Sequence, residues 1–349
     1  MAGYVWLPLE LSGQRRKRIT EAESFIEWTQ ANAVAAQAAA AGEAVAHYGA
    51  CMVAAARVES FTALQTIAEE QHAFFRKRHD QGDATRQEWK IAESELARVQ
   101  ALFQETQADL ARATAALASL LGEPIGPPPT REAWGAGRAQ PIAQWNTAAT
   151  SAEGATTGFV DEATAAEAPA LSKMLEHAPL LQALRQERAF FKASAARARR
   201  TAQDPVNFIV SAGRGDFGET RLGGGLAWAL PTLRRGQDEA AVLLAEAGRA
   251  DSVHDALLRA LTLRLGGLLS ERAEVEKALD TLETLGIPAI REALAAAMET
   301  QRAGKTEFIV VLTAQRSRSE LELHRLTLLL RDWSILADIA TLTGKAPTL

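Results

Sequence analysis

Residues 206–241 read VNFIVSAGRGDFGETRLGGGLAWALPTLRRGQDEAA, and the rest of the chain is organised around this stretch. Val206, Phe208, Val210 and Ala212 alternate with Asn207, Ile209 and Ser211, the period of two that marks a strand. Past a glycine-rich turn, Leu222, Leu226, Trp228 and Leu230 fall on one side, and Arg221, Gly223, Gly225, Ala227 and Ala229 on the other. That is a second strand with one bulky and one small face. Upstream and downstream, apolar residues recur every three or four positions, the spacing of helices.

The turn, Gly213-Arg214-Gly215-Asp216-Phe217-Gly218, fits G-x-G-x-x-G, the fingerprint of dinucleotide-binding folds. In those folds the third glycine opens a helix that holds pyrophosphate, and an acid about 20 positions on meets the ribose. Here Gly218 is followed by three more glycines and a strand, so the match is accidental. Clustered glycines supply the positive φ values of a tight hairpin instead.

Working outward, Gly3 to Leu9 forms a short strand, with Pro8 placing it at a strand end or an edge. From about Arg15 to Lys77 there is no proline and only Gly42 and Gly49, which predicts one helix of about 60 residues, about 95 Å long. Gly82 marks a reversal. The returning helix carries Leu96, Val99, Phe103, Thr106, Leu110, Ala113, Leu117 and Leu120 at coiled-coil spacing and stops at Gly122 before Pro124. A Pro/Gly/Ala-rich connector follows over 124–169. A third helix is expected from about Ala170 to Gln203, and a very long one from about Gln237 to Arg302, bent or interrupted at Pro288. Gly304 makes the second reversal, and the last helix ends at Gly344 before Pro347. The fold class is therefore mainly α with a small β part.

The two halves repeat each other. Pro8 and Pro231, Gly13 and Gly236, Gln14 and Gln237, Ala22 and Ala245, Glu23 and Glu246 are each offset by 223 (231 less 8, for instance). Gly82 and Gly304, and Gly122 and Gly344, are offset by 222. Seam positions Phe103, Thr106, Leu110, Ala113 and Leu117 map onto Leu326, Leu329, Trp333, Leu336 and Ala340. The expected organisation is a first repeat at 1–123, starting at its second strand, the connector, and a second repeat at 170–349. On this reading roughly 50 residues of the first repeat lie upstream of residue 1.

Composition narrows the possible functions. Net charge is -5 with both signs interspersed, so no face suited to nucleic-acid phosphates is expected. Aromatics are only 6% while 47% of residues are hydrophobic, many of them alanine, which favours long, closely packed helices. No run approaches the 18 apolar residues of a membrane helix, and Met1 is not followed by a secretion signal. The single cysteine, Cys51, reads as a small buried apolar residue. His47, His72, His79, His177, His254 and His324 include no pair at i, i+3 or i+4, so no metal site is indicated. Nucleophile and phosphate-loop motifs are absent; neither a catalytic residue nor a cofactor is assigned.

A duplicated unit of this kind resembles the TolC-like outer-membrane efflux family over nearly the whole chain. The resemblance rests on the strand-to-helix junctions around Pro8 and Gly13 and around Pro231 and Gly236, on Gly82 and Gly304 at the turns, and on Leu121-Gly122 and Thr343-Gly344 at the helix ends. It implies a homotrimer in outer-membrane lipid. Its strands would form a shared barrel and its helical hairpins a periplasmic α-barrel, a passive conduit for small molecules or ions and not an enzyme. It also implies a periplasmic adaptor protein docking at the turns Arg78, Asp80, Gly82, Asp83 and Arg302, Gly304, Lys305, Thr306, with an inner-membrane pump behind it. Phe208, Val210, Gly213 to Gly218, Leu222, Leu226, Trp228 and Leu230 would form the membrane hairpin and extracellular turn, with Tyr4, Trp6 and Trp228 at lipid interfaces. The family has four strands per protomer and this sequence offers three, so the gene is expected to continue upstream with a signal peptide, a helix and a strand. A soluble helical-hairpin scaffold without transport activity is the alternative reading.

Overall fold

The computed structural model describes residues 2–9, 13–126, 170–201, 206–214, 219–227, 236–303 and 308–345. The elements run β1 (Ala2–Leu9), α1 (Gln14–Asp80), α2 (Arg86–Leu121), α3 (Pro179–Thr201), β2 (Val206–Arg214), β3 (Thr220–Ala227), α4 (Gln237–Thr281), a π-helical turn (Leu282–Gly286), α5 (Ile287–Arg302) and α6 (Phe308–Thr343). Among the described residues the protein is mainly helical with one small antiparallel sheet, ordered β1-β2-β3. Two compact units emerge. One comprises Met1–Gln37 with Pro169–Leu263, the other Ala38–Ala168 with Arg264–Leu349.

The first unit contains the sheet, α3 and the opening turns of α1 and α4. Ala195 and Ala198 of α3 pack on Ala240 of α4 with Leu243, small residues that let the backbones approach closely. Trp28 of α1 stacks on Phe190 of α3 with ring centroids 5.3 Å apart, and Phe25 and Phe191 complete the aromatic group. Ion pairs Arg188–Asp251 (2.7 Å) and Arg249–Glu187 (3.0 Å) border the α3–α4 contact.

In the second unit the helices meet along the expected seams. Val99, Thr106 and Leu117 are buried on α2, and Leu326, Leu329, Leu336 and Ala340 on α6. Phe75 of α1 and Phe308 of α6 lie 4.2 Å apart at their centroids, over Ala92 and Leu312. Val45 packs on Leu336 and Ala337 beside Trp333. Cys51 is buried, and burial pushes its thiol up, which keeps it unreactive.

Two expectations need correction. The helix expected from Ala170 to Gln203 is broken: 170–175 is helical, 176–178 is not, and α3 starts afresh at Pro179. Proline has no N–H to donate and its ring fixes φ, so it suits the first helical position and the turn before it. The hairpin turn is also shorter than G-x-G-x-x-G suggests. Gly213 and Arg214 belong to the ladder, paired with Arg221 and Thr220. At Pro288 the helix continues through the π turn, with Thr281 and Ile287 both in the right-handed helical region. The wider turn sits just before a ring that would otherwise crowd the carbonyl of Thr284.

The glycines inside α1 have a packing role that the sequence reading left unassigned. A Cβ at Gly42 would collide with Thr341 Oγ1 and lie 2.9 Å from the Ala337 carbonyl oxygen, and one at Gly49 would collide with the Trp333 ring and lie 2.5 Å from its Cβ. Gly49→Val is expected to cost about 1–3 kcal/mol of stability by overpacking. Urea unfolding checks this. Adding Trp333→Ala should recover part of the loss, and a Gly49→Val protein as stable as wild type contradicts the close contact.

Candidate membrane sheet and hairpin turns

The three strands pair in a continuous register: Leu9 with Val206, Val5 with Val210, Phe208 with Leu226 and Ala212 with Leu222. Because both pairings are antiparallel, the C-terminal ends of β1 and β3 and the N-terminal end of β2 lie at the same edge. Every connection to α1, α3 and α4 therefore leaves the sheet on one side, and the β2–β3 turn is on the other. Eight or nine residues at about 3.3 Å each are about 26–30 Å long before any tilt, close to the apolar band of about 25 Å on an outer-membrane barrel.

The two faces differ chemically. Val5 is 58% exposed, Phe208 40%, Val210 38%, Leu222 79% and Leu226 71%. By register these residues form one apolar face, left partly to largely open among the described residues. On the opposite face Asn207, Ile209, Ser211 and Gly213 are half-buried beside Gly223 and Gly225. Ser211 Oγ donates to the Gly223 carbonyl at 3.3 Å, and a Cβ at Gly223 would sit 2.6 Å from that hydroxyl, so this face stays small on the β3 side. In water an open apolar face of this size is a liability, and against lipid it is the expected outer surface of a spanning strand. Tyr4 and Trp6 pair with Ser211 and Ile209 in the ladder. Pro8, opposite Asn207, lies on an edge strand, as its missing N–H requires. β1 and β3 are the two edges and run in the same direction.

Gly215, Asp216, Phe217, Gly218, Trp228, Leu230 and Pro231 lie outside the described residues. At the junctions, Gly13 and Gly236 both adopt left-handed φ values, 73° and 57°. Gly122 and Gly344, which follow α2 and α6, do the same at 73° and 70°. Only glycine takes this conformation without strain, which is why it stands at these helix ends.

The first hairpin turn is tightly specified. Gly82 sits at φ 83°, the Asp83 N–H donates to the Arg78 carbonyl at 2.8 Å, and the Arg78 guanidinium donates to the Asp83 carbonyl at 2.9 Å. Thr85 and Glu88 close a capping box at the start of α2, and Trp89 stacks on His79 at 5.2 Å. Asp80, Gly82 and Asp83 are exposed, whereas Arg78 is half-buried and holds the turn together. At the second turn, Arg302 ends α5 and Ala303 follows; Gly304, Lys305 and Thr306 lie outside the described residues.

The sequence reading missed the buried charges. Glu95, 7% exposed at its side chain, pairs with Arg98 at 2.5 Å and with Arg316 of α6 at 2.8 Å. Arg272 of α4, 5% exposed, faces Asp332 of α6 at 3.3 Å and Glu276 at 3.0 Å. Periodicity offered a clue to the first. Ala92, Glu95 and Val99 share one helix face, so the glutamate falls on the buried stripe. Among the described residues no group of histidine, cysteine and carboxylate side chains is arranged to hold a metal ion, and no helix is long and apolar enough to cross a membrane.

No protein-family model matches the sequence, and no curated relative matches it either. Solved structures do. A membrane protein from Pseudomonas aeruginosa superposes with a TM-score of 0.73 at 17% identity, covering 98% of this chain and 74% of that one. The outer membrane protein VceC of Vibrio cholerae gives 0.71 at 16% identity, covering 99% and 80%. The MtrE outer membrane channel of Neisseria gonorrhoeae, in its open state, gives 0.70 at 16% identity, covering 100% and 80%. The chain thus has the fold of TolC-like outer-membrane channels, and the resemblance read from the junctions and turns holds at the level of the whole fold.

Proposed function

We propose that this chain is a subunit of an outer-membrane channel, a passive conduit for small molecules or ions in an export system that spans the envelope. The observation that carries this reading is the exposed apolar face of Val5, Phe208, Val210, Leu222 and Leu226 on a sheet whose helical connections all leave from one edge. Lipid satisfies that face, and the aqueous side receives the helices. The reading extends to a homotrimer in the outer membrane with its helices in the periplasm, built from two tandem repeats whose junction and end glycines share left-handed conformations. The exposed Asp80, Gly82 and Asp83, with Arg78 framing them, and the second turn at Arg302 to Thr306 form the docking end for a periplasmic adaptor and its inner-membrane pump. Since β1 and β3 run in the same direction, antiparallel closure between copies needs an additional strand at each seam.

Protein purified from its native envelope tests this reading. Detergent-dependent solubility, a mass of three copies and discrete conductance steps in a planar bilayer are expected. A detergent-free soluble monomer, or a bilayer that stays sealed, contradicts it and favours a soluble hairpin scaffold.

A further inference from the structure

The first turns of α1 carry Arg15, Arg16, Lys17 and Arg18 in succession, and its first turn holds no acidic residue. Arg15, Arg16 and Arg18 are exposed and Lys17 is half-buried. Cations at a helix N-terminus oppose the macrodipole, so helix stability does not account for the run. The last turn of α3 adds Arg199 and Arg200, both exposed. Gln14 Nε2 donates to the Arg200 carbonyl at 3.2 Å, which places the two helix ends side by side.

These ends lie close to the sheet. Leu9 pairs with Val206, and Leu9 precedes Gln14 by five residues, as Thr201 precedes Val206. Five residues reach at most about 17 Å, so the six cations gather just beyond the edge from which the helices depart. Among the described residues opposing charge is limited. Asp238 and Glu239 open α4, whose Ala240 packs on Ala195 and Ala198, while Glu21 is engaged by Arg197 at 3.1 Å. Set against Asp238 and Glu239, the six cations leave positive charge in excess at these helix ends, in a chain whose net charge is -5.

We propose that the ends of α1 and α3 form a basic collar that binds the headgroups of anionic phospholipids where the strands leave the bilayer. The proposal rests on the membrane reading of the sheet. Guanidinium groups match phosphate oxygens through paired hydrogen bonds, and basic residues bordering a spanning segment are drawn to an anionic leaflet. The cations are spread along an exposed rim across two helix ends and do not enclose one anion, which suits a plane of headgroups better than a free phosphate ion.

The test uses the full chain in neutral detergent, with phosphatidylcholine, phosphatidylglycerol or inorganic phosphate added, and follows the thermal unfolding midpoint. Phosphatidylglycerol should raise the midpoint where phosphatidylcholine and inorganic phosphate do not, and the rise should shrink in high salt. The combined variant Arg15→Gln, Arg16→Gln, Arg199→Gln, Arg200→Gln should need roughly tenfold or more phosphatidylglycerol for half the effect. Its detergent-bound mass, which reports folding, should match wild type. Equal response to the two lipids, reproduction of the rise by inorganic phosphate, or a variant that responds like wild type overturns the collar. A chain that stays monodisperse without detergent instead contradicts the membrane reading, so the two failures are read separately.

Discussion

Replacing Arg272 with methionine is expected to lower stability by about 3–5 kcal/mol at neutral pH, because two carboxylates then lose the buried cation between them. Arg272 lies between Asp332 at 3.3 Å and Glu276 at 3.0 Å, with 5% of its side chain exposed. Its removal takes away the charge that offsets the desolvation of both acids. The loss should shrink as pH falls and the carboxyls take up protons. Replacing Glu276 and Asp332 with leucine as well should restore most of the stability, since buried ion clusters are replaceable by apolar groups of similar size. Urea unfolding of the detergent-solubilised protein at neutral and acid pH checks each step, and an Arg272→Met protein as stable as wild type contradicts the account of this contact.

The same site sets the sign of a pH effect. Burial pushes the Glu276 carboxyl up, Arg272 pulls it down and Asp332 pushes it up again, with a net rise from its ordinary value. A raised value in the folded state means that its stabilising contribution is present below the ordinary carboxylate range and is lost as pH rises through the raised value. Glu276→Gln should therefore gain stability relative to wild type as pH rises toward neutral. Glu95 behaves oppositely. Burial pushes it up, but hydrogen bonds from Arg98 and Arg316 outweigh burial and hold it low. Its contribution is present above the ordinary carboxylate range and disappears as pH falls through the depressed value.

Val210→Arg is expected to cost about 2–4 kcal/mol per copy, the range for a cation at the midplane of a lipid-facing strand. Val210 is central in β2, paired with Val5 on one side and Gly224 on the other. Refolding into phosphatidylcholine vesicles, followed by urea titration of the inserted fraction, gives the number. Ile209→Gln, on the half-buried opposite face, is the control and should insert nearly as well as wild type. Equal insertion of Val210→Arg and wild type would mean that this face does not meet lipid.

Much of the fold was legible because its local rules are strong. Proline-free alanine-rich runs gave α1, the Gly82 and Gly122 punctuation gave the first hairpin, and the switch to period two at Val206 gave the sheet. The dinucleotide motif was set aside on the strand that follows it, and β3 begins at Thr220 as that argument requires. What stayed hidden depends on which helix faces which. Gly42 and Gly49 look like weak points in a long helix until α6 brings Thr341 and Trp333 against them. Arg272 and Asp332 look like ordinary surface charges until α4 and α6 bury them together. Pairings across 60 residues carry no local sequence signature. The break before Pro179 was missed because the flanking residues keep helical spacing on both sides of it.

The central claim is that the face bearing Phe208, Val210 and Ala212 meets lipid while Asn207, Ile209 and Ser211 face away from it. A spin-label scan of residues 207–212, in a Cys51→Ala background reconstituted into vesicles, measures this directly through collision with oxygen and with a water-soluble nickel complex. The account predicts alternation, with oxygen favoured at 208, 210 and 212 and nickel at 207, 209 and 211. Uniform access to nickel along the strand, or no alternation, would contradict it.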